Sequence, residues 1–163
     1  MAQRILPQLA SAPNMAAFTR EEPTTALLRR SALSSLRASF TVQGARSEES
    51  AERLAKAVVG SPLVKAAMFG SDANWGRVLC AMGYSKAPFR PEYVDISFSS
   101  AVGEILVCKQ GAGVDFDEES AKSILSQDEV VITVALSEGE DTATCWGCDL
   151  TYDYVKINGD YRT

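Results

Sequence analysis

Two hydrophobic periods take turns along the chain from Ser47 to its end, and that alternation restricts the fold more than any other feature. Ser47 suits an N-cap, with Glu48 and Glu49 in the first turn, where the helix dipole favours acids. Ala51, Leu54, Ala55, Val58 and Val59 then recur at helical spacing and give one buried face. Gly60 stops the helix, and Ser61-Pro62 reads as the break. Leu63 to Phe69 is a short apolar run, expected as a strand ended by Gly70. Asp72 to Met82 reads as a second helix, opened by Asp72 and closed by Gly83, with Trp75, Val78, Leu79 and Met82 on one face. Val94 to Phe98 alternates strictly, and Glu104 to Cys108 is expected as its hairpin partner across residues 99–103. Asp117 caps a third helix over Glu118–Leu125. Glu129–Leu136 and Thr142–Trp146 read as strands joined by a turn over Ser137–Glu140. Asp149 is expected to cap a last helix with Leu150, Tyr154, Ile157 and Tyr161 on one side. Strand pairs separated by helices predict an α+β fold, with helices packed on a mostly antiparallel sheet.

Ahead of this region the pattern fades. Residues 1–46 show no clear period, apart from a short helix expected over Thr25–Leu36. They hold six of the chain's 16 basic residues and two of its 21 acids. An Arg-rich, Ser-containing, acid-poor start resembles a mitochondrial transit peptide in composition, and the plain alternative is the remnant of a folded domain. The domain division expected from these shifts is a leader over 1–39 and one compact domain over 40–163. The net charge of −5 would be repelled by a phosphate backbone, so nucleic acid is not an expected partner. No run of ~18 apolar residues offers a membrane span.

The chain has no histidine, which removes the commonest general base and the commonest metal ligand. Four cysteines remain, Cys80, Cys108, Cys145 and Cys148. Cys145-Trp-Gly-Cys148 has the spacing of a zinc or redox pair. One such pair without a second pair cannot complete a four-ligand zinc site. On a strand, positions i and i+3 also face opposite sides. No metal is expected, and three of the cysteines, widely spaced in apolar surroundings, read as small buried residues of a cytosolic protein.

Three stretches in order carry a family resemblance. They are Ser61-Pro-Leu-Val-Lys65 running into Phe69-Gly-Ser-Asp-Ala-Asn-Trp-Gly-Arg77, then Val114-Asp-Phe-Asp-Glu-Glu119, then Trp146 through Thr163. Together they resemble the C-terminal part of the β-chain in the bifunctional ornithine acetyltransferase/N-acetylglutamate synthase family, over roughly residues 41–163. The resemblance implies a precursor that cuts itself into α and β chains. The cut exposes a threonine that takes acetyl from N-acetylornithine and passes it to glutamate in arginine biosynthesis. It implies no cofactor, with acetyl-CoA a substrate of some members, and partners that are α-chain and β-chain copies of the same enzyme. A hydroxyl activated by its own amine, working through an acyl-enzyme, is the general logic of such nucleophiles.

The departures are as informative. The family's cleavage motif, Ala-Pro-Asn-Met-Ala before the nucleophilic threonine, is matched by Ala12 to Ala16, but Ala17 follows and Thr19 comes two residues late. No catalytic residue is therefore assigned, and the expectation is a truncated form that lacks the nucleophile and the α-chain. The alternative expectations are activity through Thr19, or a non-catalytic binding or assembly module that pairs with full-length subunits.

Asn158 and Thr163 match family positions that hold the amino-acid substrate. An amide, a hydroxyl and a terminal carboxylate suit the two ends of an amino acid. The plain alternative is a helix-capping Asn158 and a frayed Thr163. Asp72, Asn74, Trp75 and Arg77 read first as helix capping around a core tryptophan. Asp115, Asp117, Glu118 and Glu119 read as a solvated helix start rather than a cation site.

Overall fold

The structure is a computed structural model that describes residues 37–160. Strand β1 (Arg37–Ala45) leads into helices α1 (Glu48–Gly60), α2 (Pro62–Phe69) and α3 (Trp75–Tyr84). A single 3-10 turn (Pro91–Tyr93) precedes strands β2 (Val94–Ser100), β3 (Gly103–Lys109) and the two-residue β4 (Ala112–Gly113). Helix α4 (Glu118–Leu125), strands β5 (Glu129–Leu136) and β6 (Asp141–Cys148), and helix α5 (Tyr152–Asp160) complete the described chain. The six strands form one sheet in the order β4-β3-β2-β5-β1-β6. Only the β1–β5 pair is parallel. The α+β expectation holds.

Register explains the layering. Phe40 stands between Ile132 and Cys145, and Phe98 stands between Ile132 and Ile105, so one row of apolar side chains crosses the sheet. The neighbouring row is Ala143, Val42, Val134 and Ile96. These residues face the buried stripe of α1, namely Ala51, Leu54, Ala55, Val58 and Val59, together with Ile124 and Leu125 of α4. The opposite face carries Thr144, Thr41, Thr133, Ser97 and Leu106 in the next register, none of them buried. Alternation of apolar and hydroxyl residues along each strand therefore builds a sheet with a helix-covered face and an open one.

Four expectations about the elements need correcting. Leu63–Phe69 is helix α2, not a strand. A short apolar run does not distinguish the two by itself. What decides is Ser61, whose Oγ accepts from the Val64 amide at 3.4 Å, with Pro62 at the first helical position. Ser61 thus ends α1 and starts α2. The second helix begins at Trp75, capped by Asn74 Oδ1 from the Arg77 amide at 3.1 Å, and runs through Gly83 to Tyr84. Asp72 instead accepts from Asn74 Nδ2 at 3.0 Å. The last helix is capped by Thr151, whose Oγ1 accepts from the Tyr154 amide at 3.1 Å, while Asp149 is buried.

The fourth correction is β1, which falls in the stretch that showed no period. It slots between β5 and β6, so those two strands do not pair and their turn must step over its end. Gly44 makes this possible. Its φ is +72°, and a Cβ there would stand 1.8 Å from the Leu136 carbonyl oxygen. The Glu138 amide then bonds the Gly44 carbonyl at 3.1 Å. The helix expected over Thr25–Leu36, the leader as far as Leu36, the Ala12–Ala17 motif, Thr19 and Tyr161 lie outside the described residues, while residues 37–39 of the expected leader begin β1.

Candidate substrate-binding end of the domain

Asn158 sits in the last turns of α5, exposed, with Nδ2 donating to the Tyr154 carbonyl at 2.8 Å. Thr163 lies outside the described residues. α5 follows β6, whose last residue, Cys148, pairs with Arg37 at the start of β1. The chain's entry into the domain and its exit towards α5 therefore lie side by side at one end of the sheet.

Beneath that exit is a residue whose role the sequence reading missed. Lys65 of α2 is 2% exposed, and its Nζ donates to the Cys148 carbonyl at 2.8 Å. A lysine inside an otherwise apolar run was the available signal, since lysine is rarely fully buried. The two helices joined at this point also expose apolar side chains. Leu63 and Phe69 of α2 and Tyr152, Val155 and Ile157 of α5 are all exposed, and the Phe69 and Tyr152 rings meet edge to face at 5.0 Å.

The other singled-out residues serve the fold. Asp72 and Asn74 form the entry to α3, and Arg77 donates to the Leu63 carbonyl at 3.1 Å. Trp75 lies against Gly113, where a Cβ would come within 2.9 Å of its ring. Asp117 accepts from the Ser120 amide at 2.7 Å, and the Ser120 hydroxyl together with that amide holds its exposed carboxyl below the usual range. Cys108 and Cys145 are buried in the core, and burial pushes both thiols up, whereas Cys148 is half-buried at the strand end and Cys80, expected to be buried, is exposed on α3. No group of three or more potential metal ligands occurs among the described residues. A depression of about 360 Å³ lined by Arg37, Ser126, Asp128 and Glu129 contains none of the candidate residues.

Residues 33–163 match the ArgJ family. The chain belongs to the ArgJ family. It is 58% identical over 122 residues to the "Arginine biosynthesis bifunctional protein ArgJ 1" of Clostridium acetobutylicum, covering 75% of this chain and 30% of that relative. It is 51% identical over 122 residues to the "Glutamate N-acetyltransferase" of Methanopyrus kandleri, covering 75% of this chain and 31% of the relative. The crystal structure of the bifunctional protein argJ from Bacillus halodurans superposes with a TM-score of 0.73 at 43% identity, covering 79% of this chain and 59% of that one. The chain thus spans about a third of the length of the curated relatives it matches. No helix among the described residues is long and apolar enough to cross a membrane.

Proposed function

We propose that this chain supplies the C-terminal, substrate-contacting part of a cytoplasmic glutamate N-acetyltransferase, which moves acetyl from N-acetylornithine to glutamate in arginine biosynthesis, and that it does not catalyse the transfer alone. The observation that carries the reading is the ArgJ match over residues 33–163 at up to 58% identity to named relatives. Asn158 and Thr163 contact the amino-acid substrate, and the acyl-accepting hydroxyl comes from another part of the family's polypeptide. Ala17 stands where the family's threonine would, and a methyl group has no oxygen to carry an acyl group. Loss of oxyanion donors of the α-chain would separately cost about 10²–10³ in rate per donor.

One observation favours pairing with α-chain and β-chain copies over independent action. Arg37, the first described residue, pairs with Cys148, from which the chain runs into the helix that carries Asn158. α5 buries no side chain within the described residues and leaves Tyr152, Val155 and Ile157 facing outward. A purely non-catalytic assembly module would use the same surface but would not need Asn158.

The test is mass spectrometry of the purified chain after incubation with N-acetylornithine, with and without glutamate. No covalent acetyl and no acetylglutamate are expected. An acetyl adduct on Thr19, or self-cleavage just before it, would overturn the assignment. In an assembly with a full-length family subunit that does transfer acetyl, Asn158→Ala should raise KM, and an unchanged KM would remove Asn158 from the substrate site.

A further inference from the structure

α5 carries Asn158, yet it buries none of its nine residues. A helix that short is unstable by itself in water, so its direction must be set from outside. Its ties run to α2. Lys65 sends Nζ to the Cys148 carbonyl at 2.8 Å and lies 4.0 Å from Cys148 Sγ, while its own carbonyl accepts from the Leu150 amide at 3.3 Å. One turn further along, Phe69 meets the Tyr152 ring. Positions i and i+4 share a helix face, so one stripe of α2 holds residues 148, 150 and 152 in succession. Gly147 keeps the approach open. A Cβ there would stand 2.4 Å from Val59 Cγ2 and 3.8 Å from Lys65 Nζ.

We infer that Lys65 is a positioning residue: its amine and carbonyl fix the junction between β6 and α5 and so aim the helix that presents Asn158. Taking an amine out of water is costly, and a methionine of similar length would fill the space without that cost. What the lysine adds is direction, because its contacts include a donor to the carbonyl at the last residue of β6. The link to substrate rests on the reading of Asn158 given above, whereas the link to α5 does not.

Hydrogen–deuterium exchange of the 163-residue chain tests it. In Lys65→Met, amides of residues 152–160 should exchange about tenfold faster than in the wild type, while those of α1, β1 and β5 keep their rates. Lys65→Gln, too short to reach the carbonyl, should loosen the same helix in case the first variant does not fold. Unchanged exchange in α5 in a folded variant would overturn the inference. So would loosening of α5 only in step with β1 and β5, which would make Lys65 a general core residue. The readout needs no substrate, so failure of the Asn158 assignment, seen in KM, is distinguishable from failure of this one.

Discussion

Glu138 sits in the turn that steps over β1, and replacing it with glutamine should weaken the domain in a pH-dependent way. Its side chain is only 2% exposed. The carboxylate accepts from Arg46 Nε at 3.1 Å, from the Arg90 amide at 3.1 Å and from Arg90 Nε at 3.4 Å. Burial alone would raise this carboxyl, but the hydrogen bonds from Arg46 and Arg90 and the Arg46 charge outweigh it and hold it below the usual range. A hydrogen bond to a charged group contributes ~1.5–3 kcal/mol when well buried. Here the arginine side chains are 48% and 52% exposed, so water recovers part of what is lost. Glu138→Gln keeps one acceptor and loses the charge, for a net cost of ~1–2 kcal/mol at pH 7. A depressed carboxyl stabilises the folded state above its unfolded value and loses that contribution as pH falls through its folded value. The difference between wild type and variant should therefore be full at neutral pH and shrink once pH drops below about 4.3. Urea unfolding followed by circular dichroism at pH 7, 5 and 3 measures it. A difference that stays constant down to pH 3, or is absent at pH 7, would refute the reasoning.

Gly44→Ala should be far more damaging. The left-handed backbone costs a non-glycine residue ~1–3 kcal/mol, and the new methyl would collide with the Leu136 carbonyl, so a melting temperature within about 3 °C of wild type would contradict the register at β1. Ser61→Ala should cost ~0.5–1 kcal/mol, the low end for an N-cap because its hydrogen bond is long, and far-UV circular dichroism melts should show it. In native protein at pH 8, a thiol reagent should modify exposed Cys80 rapidly and spare Cys108 and Cys145, whose thiols burial pushes up and so leaves with less thiolate. Fast labelling of all four would contradict the core packing.

Elements announced by side-chain chemistry were legible in the sequence. Helix α4 follows Asp117 residue for residue, and β5 matches its apolar run, because a cap and a period agree there. α2 was misread because Ser61-Pro62 signals a stop and a start equally well, and only the chain's path shows that it is both. β1 was missed because Ala38, Phe40 and Val42 alternate with Ser39, Thr41 and Gln43 in a stretch with no turn signal ahead of it, and its place depends on partners about ninety residues away. The candidate site was legible only through resemblance. Nothing in the local pattern of Asn158 separates it from a helix-ending residue, and the anchoring role of Lys65 comes from a tertiary contact with β6.

The central place of β1 also sets a timetable for folding. Its neighbours on both sides come from the far end of the domain, as the 103-residue gap between the hydrogen-bonded Thr41 and Thr144 shows. On a ribosome, the β2–β3 hairpin and α4 can form as they emerge, but the sheet cannot close until β6 is out. Closing so long a loop is entropically expensive before any contact rewards it, which slows folding. Until then Phe40 and Val42 pack against α1 and then β5 but lack the side of the row that Cys145 and Ala143 complete, so one edge of the nascent sheet stays open during that wait.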